Sequence, residues 1–278
     1  MAKFEQPILL SIGHGYSARA LAERLLGEGW RVIGTTRSED KASTIRRTGA
    51  KAVLWPGTDL AGLFAEATHL LLSAAPGIDG DPVLLEWAGG LPKNQITWAG
   101  YLSTTGVYGD RGGGWVDETS DCTPATQRGQ WRLDAETAWM RTGLPLHVFR
   151  LAGIYGPGRG PFAKVRSGTA RRIIKEGQVF SRTHVEDIAS VLAASIGRPN
   201  PGAIYNVCDD EPAPPQDVIA HAAELLGLPV PEAVAFEDAD QSPMARSFYA
   251  ESKRVSNRRI QDELGVTLRY PTYREGLA

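Results

Sequence analysis

Cysteine is nearly absent: the 278 residues hold two, Cys122 and Cys208, in unrelated segments without metal-ligand spacing. Free thiols in a reducing cytoplasm are therefore expected rather than a disulfide scaffold or a thiolate metal site. No apolar run approaches the length needed to cross a bilayer. An excess of either charge is missing too. Thirty Lys and Arg against 32 Asp and Glu leave a net charge of −2, which offers nothing to nucleic acid or to an anionic membrane. The beginning of the chain carries acidic Glu5 and lacks the apolar core of a secretion signal, so a cytoplasmic location is expected. There is no internal repeat and no low-complexity segment. What remains, 42% hydrophobic and 22% charged residues, is the balance of a soluble globular protein able to bury a substantial core.

Within that ordinary composition one stretch organises the rest. Pro7 to Ile12 is a short apolar run closed by Gly13, and Ala18, Leu21, Ala22 and Leu25 then recur at helical spacing. Between the strand and the helix lies Gly13-x-Gly15-x-x-Ala18, the small-residue pattern of a dinucleotide-binding turn. Gly13 permits the sharp turn, Gly15 lets a pyrophosphate approach the backbone, and Ala18 lets the helix pack on the strand. The helix start supplies unpaired N–H groups and a partial positive charge for phosphates. A second strand, Trp30 to Thr36, follows at the distance a βαβ unit requires. At its end an NAD site would place Asp or Glu against the ribose 2′-OH. Here stand Thr35, Thr36, Arg37 and Ser38. A guanidinium suits a 2′-phosphate, so the pattern favours NADP over NAD, with NAD still open. The bland alternative is a solvated arginine at a strand end.

Further strands are predicted over Lys51 to Trp55, Thr68 to Ala74, Gln95 to Leu102, Leu146 to Ala152 and Ala203 to Val207. Helices are predicted over Asp40 to Arg47, Asp81 to Gly89, Thr126 to Arg141, His184 to Ile196, Gln216 to Leu226 and Ser256 to Leu264. Gly168 to Val185 suggests a small antiparallel pair. The alternation predicts an α/β fold, a doubly wound parallel (Rossmann) sheet with a smaller, interleaved C-terminal substrate part. The dinucleotide domain is expected over 1–152, together with about 183–208, and the smaller part over 153–182 and 209–278. Ala74, Ala75 and Pro76, after the fourth strand, are expected beside the adenine and ribose of the cofactor. With Gly13, His14, Gly15, Tyr16, Ser17, Thr36, Arg37, Ser38 and Thr104 they form the expected cofactor set. For His14, backbone placement outweighs a pH-sensing or catalytic role.

Several segments in order resemble an extended short-chain dehydrogenase/reductase of the NAD-dependent epimerase/dehydratase group. They are Gly13-x-Gly15-x-x-Ala18, Ser103-Thr104-Thr105-Gly106-Val107-Tyr108-Gly109, Arg150-x-x-x-Ile154-Tyr155-Gly156-Pro157-Gly158 and His184-Val185-Glu186-Asp187-Ile188-Ala189. Tyr205-Asn206-Val207 and Lys253-Arg254-Val255-Ser256-Asn257 complete them. The resemblance implies that Thr104 hydrogen-bonds the reacting oxygen and that the next helix carries Tyr-x-x-x-Lys. Counting back from Ala135-Glu136 puts Arg128 and Arg132 there. No tyrosine lies between Tyr108 and Tyr155 and no lysine between Lys93 and Lys164, so no register restores the pair. Arginine stays protonated and cannot replace the phenol as acid. Two arginines four apart on one helix face could clamp an anion, although structural ion pairs are nearly as good a reading. The resemblance is thus to an atypical branch that keeps the cofactor fold without the usual acid–base pair, and that includes proteins of unsettled activity and, in the related regulator lineage, nucleotide sensors.

The expected function is an NAD(P)-binding oxidoreductase, epimerase/dehydratase-like, acting on a small anionic or sugar-like substrate through Thr104, Arg128 and Arg132. The alternative is a non-catalytic NADP sensor. No metal, nucleic acid or membrane is expected as partner, and family members pair through long helices, which makes a homodimer possible. Tyr108 reads as packing, His147 as a core histidine, and His184 with Asp187 as a structural turn. Asp117-Glu118 reads as a cap or loop anchor, and Tyr249-x-x-x-Lys253 as a chance match.

Overall fold

The computed structural model describes residues 6–87 and 95–278. Its first elements are β1 (Ile8–Ile12), α1 (Tyr16–Gly27), β2 (Arg31–Thr36), α2 (Glu39–Arg47), β3 (Lys51–Leu54), α3 (Ala61–Glu66), β4 (His69–Leu72), α4 (Pro82–Glu86) and β5 (Trp98–Thr104). A 3-10 turn (Thr105–Tyr108), β6 (Trp115–Val116), α5 (Gln127–Met140), β7 (Leu146–Leu151), β8 (Gly153–Tyr155), α6 (Phe162–Arg166), β9 (Arg172–Ile174) and β10 (Arg182–His184) follow. The chain closes with α7 (Val185–Gly197), β11 (Ile204–Val207), α8 (Pro215–Leu225), β12 (Ala233–Ala235), α9 (Pro243–Phe248), β13 (Arg254–Val255), α10 (Arg258–Asp262) and α11 (Tyr273–Leu277). Two compact units result. The first comprises residues 1–103, 131–150 and 188–205, the second 104–130, 151–187 and 206–278. Glu5, and Ala88 and Gly89 at the end of the helix expected over Asp81 to Gly89, lie outside the described residues.

The first unit is built on a seven-stranded sheet in the order β11-β7-β5-β4-β1-β2-β3, with parallel pairing of β1 to β2 and β4, β2 to β3, and β4 to β5. This is a doubly wound Rossmann sheet whose order reverses between β1 and β4. Each of its seven strands overlaps a stretch expected to be one, and β5 runs on past the expected Leu102 to Thr104. β1 is buried along its whole length, as a central parallel strand covered on both faces must be. Helix α1 turns Ala18, Leu21, Ala22 and Leu25 inward. α2 carries Glu39 and Asp40 in its first turn and Arg46 and Arg47 in its last, in the sense the helix dipole favours. Leu10, Ile12, Phe64, Leu70, Tyr101, Trp139 and Val148 form the centre of the core. Each such side chain contributes roughly 1.5–3 kcal/mol by leaving water. Among the described residues no helix is long and apolar enough to span a membrane, and no cluster of His, Cys, Asp and Glu could hold a metal ion.

The second unit has its own core of Tyr155, Val165, Ala170, Val218, Ala222, Tyr273 and Leu277. Here the expected antiparallel pair over Gly168 to Val185 is corrected. β9 pairs in parallel with β12, and β10 pairs in parallel with β8. Local alternation marks two short strands, but a hairpin was only the nearest partner available in sequence, and parallel pairing recruits distant ones. The short helices α3, α6, α9 and α11 have too few residues to show a period. α11 is nevertheless held by a capping box, with Thr272 and Glu275 satisfying each other's backbone N–H groups.

This unit also buries an acid without an ordinary partner. Neither carboxyl oxygen of Asp209 makes a hydrogen bond, and burial raises its pKa to about 8, against the opposing charge of Arg182. A carboxyl raised in the fold stabilises below its unfolded pKa and loses that stability as pH climbs toward the folded one. Stability should therefore fall by up to about 5 kcal/mol, about 1.4 kcal/mol for each pH unit, between pH 4 and pH 8 through this group. In urea titrations across that range the Asp209→Asn protein should lack this fall. An unchanged pH profile would show that the carboxyl is solvated.

Candidate functional site

The turn after β1 is fixed by sequence features that leave little freedom. Gly13 has φ +80°, and a Cβ there would lie 2.6 Å from the Ala74 backbone nitrogen. Its N–H donates to the Thr35 hydroxyl at 3.0 Å. The Ser73 hydroxyl donates to its carbonyl at 2.6 Å. The next amide, His14 N–H, donates to the Thr35 carbonyl at 2.9 Å. The carboxyl ends of β1, β2 and β4 are thereby stitched together, which brings Gly13, His14, Gly15, Tyr16 and Ser17 into one cluster with Thr36, Arg37 and Ser38 and with Ala74, Ala75 and Pro76.

Gly15 is different. Its backbone is extended, and a Cβ would find nothing closer than the Gly13 carbonyl oxygen at 3.6 Å. Nothing in the fold requires it to be small. It caps α1 without a side-chain hydrogen bond, and no acid stands in the first turn. A twelve-residue helix that starts without a side-chain cap suits a ligand's negative charge. At the end of β2, Thr36 is buried and Arg37 exposed. Ser38 caps α2 with its hydroxyl free of any capping bond. This uncapped turn fits the diphosphate and ribose of a dinucleotide.

The His14 ring lies over the backbone of β2, where a Cβ on Gly34 would come within 2.7 Å of it. Both ring nitrogens are buried without a hydrogen-bond partner. Burial first, and then the charge of Arg19, lowers its pKa to about 4.

Helix α5 lays a polar stripe along β5 in the first unit. Arg132 donates through Nη1 to the Leu102 carbonyl at 2.7 Å and to the Tyr101 hydroxyl at 3.3 Å. One turn on, the buried Glu136 accepts from the Ser103 hydroxyl at 2.5 Å. It also pairs with Arg150 of β7 at 2.8 Å, both side chains being about 95% buried. Buried Asp81 accepts the amides of Val83 and Leu84 at the start of α4. Burial raises its pKa while the charge of Arg132 opposes the rise. Sequence reasoning missed the Ser103–Glu136–Arg150 network. Its signal was an arginine inside an apolar strand, which demands a buried carboxylate.

In the second unit the Thr104 hydroxyl accepts the Gly106 amide at 3.1 Å, so its own proton is free to donate. Arg128, in the first turn of α5, is exposed. Tyr108 is fully buried and donates to Asn206 Oδ1 at 2.7 Å, a packing role. Glu118 accepts the Asn206 amide at 2.7 Å. Tyr249 and Lys253 lie off any helix, and Lys253 is held by the Gly109 carbonyl at 2.8 Å and by Glu251 at 2.5 Å. The Asp187 carboxylate accepts the amides of Arg269 and Tyr270, and His184 Nδ1 accepts that of Glu186. Both serve a turn. His147, in the first unit, lies fully buried between Ala99 and Asn200.

No protein-family model matches the chain. A solved structure of a conserved protein of unknown function from Silicibacter pomeroyi is similar at 60% identity, over 98% of this chain and 97% of that one, with a TM-score of 0.92. Protein YeeZ of Escherichia coli (strain K12) is 29% identical over 94% of this chain and 95% of its own length. UDP-glucuronic acid 4-epimerase from Bacillus cereus, solved in complex with NAD, is 18% identical over 97% of this chain and 94% of that one, with a TM-score of 0.77. At that identity the likeness is one of fold.

Proposed function

We propose that this chain, which belongs to one family with the Silicibacter pomeroyi protein and has the fold of the epimerase/dehydratase-type short-chain dehydrogenases, is an atypical NADP-using oxidoreductase. The observation that carries the reading is Gly15. A residue whose smallness the fold does not need stands at an uncapped helix start, where a diphosphate would press on the backbone. The bound cofactor supplies hydride exchange at its nicotinamide. Among the chain's own residues, Thr104 is the donor that orients a reacting oxygen, and Arg128 and Arg132 supply positive charge for a small anionic substrate. Arg132 lies on α5 with one guanidinium nitrogen spent on β5. The phenol and lysine of the usual acid–base pair are missing from α5, and Tyr108 is committed to Asn206. Protons therefore reach the substrate through water or a group other than these.

The same missing pair favours a second reading, an NADP sensor without turnover. A panel of carbonyl and anionic sugar substrates separates the two. The enzyme changes reduced-nicotinamide absorbance with at least one of them, whereas the sensor binds cofactor tightly and changes it with none.

For cofactor choice, Arg37→Ala should lower NADP affinity tenfold or more, the scale of one lost charge-assisted contact. NAD affinity should stay within about twofold. Calorimetric titration of both coenzymes checks this, and equal losses would remove the NADP assignment.

A further inference from the structure

The His14 imidazole is poised between the two glycines of the turn with nothing to bond. Buried ring nitrogens are nearly always paired, and here both lie unpaired against β2. From α1 the charged group that acts on the ring is Arg19. β2 offers Gly34 and Thr35, and the stretch after β4 offers Ser73 and Ala74, none of them charged at working pH. We propose that His14 couples cofactor binding to proton uptake, taking up a proton as the dinucleotide diphosphate seats on the turn.

This rests on the dinucleotide reading above. In the free protein the ring is neutral, since an imidazolium would be buried beside a second cation. The diphosphate brings negative charge to the same few residues and reverses that balance by offsetting Arg19 and favouring the charged ring. The sign follows from linkage. The complex holds the proton to higher pH than the free protein, so affinity rises as pH falls through the acid range and is flat above neutrality. The ring is then more than filler. It replaces a fixed charge at the phosphate turn with one that exists only when the ligand is bound.

The test is calorimetry with NADH, which lacks a titrating 2′-phosphate, in several buffers of different ionisation enthalpy. At about pH 5.5 the wild-type protein should take up roughly half a proton per cofactor, and at about pH 8 none. His69, whose pKa burial also lowers to about 4, and His147, which burial lowers as well, are the other histidines of this unit that could answer. The His14→Gln protein distinguishes them by showing binding heat without uptake at either pH. Binding heat with no uptake in wild type, or uptake that survives in His14→Gln, overturns the inference and leaves the dinucleotide site standing. No binding heat with either coenzyme at any pH overturns the site itself.

Discussion

Replacing Gly13 with alanine should cost about 3–5 kcal/mol, whereas the same change two residues later should cost less than about 1 kcal/mol. At position 13 two penalties add. The backbone is left-handed at φ +80°, and the new methyl would meet the backbone nitrogen of Ala74 at 2.6 Å, an atom that cannot swing aside. At position 15 the backbone is extended and the methyl finds open space. Cofactor binding should show the opposite ranking of causes. Gly13→Ala would lose binding because the turn is lost. Gly15→Ala would keep the fold and weaken binding at least tenfold, because its methyl stands where phosphate must approach the backbone. Urea midpoints give the first comparison and calorimetry the second. A Gly15→Ala protein that binds both coenzymes as tightly as wild type would leave no reason for glycine there and would sink the proposed site.

The second large effect belongs to the buried pair on α5 and β7. Glu136→Ala would take from the Arg150 guanidinium its buried carboxylate and from the Ser103 hydroxyl its acceptor, all within a few per cent of full burial. Breaking such a pair from one side typically costs about 3–5 kcal/mol, a large part of the stability of an ordinary domain. The double variant Glu136→Leu with Arg150→Met removes both charges and should recover much of that loss, since a buried ion pair gains little over well-packed apolar side chains. A double-mutant cycle on urea midpoints checks this. If the single and double variants were equally unstable, the loss would lie in packing rather than in stranded charge. Glu136 also ties the helix bearing Arg128 and Arg132 to β5 through Ser103, so the weakened protein should lose any anion binding along with stability.

The sequence by itself determined the sheet and the turn. Period-two and continuous apolar runs marked all seven strands, and the glycine spacing after β1 marked the turn proposed to hold phosphate, because both depend on interactions a few residues apart. It also showed that α5 lacks tyrosine and lysine, a fact of composition that no geometry can alter. Only the tertiary structure decided which short strands pair in the second unit, since partners for β9 and β10 come from segments far along the chain. Tertiary structure alone could also show that Gly13 is forced by the fold while Gly15 is not. The same holds for Asp209 and His14, which are buried without hydrogen-bond partners. Desolvation is set by what surrounds a side chain in space, and neighbours in sequence carry no record of it.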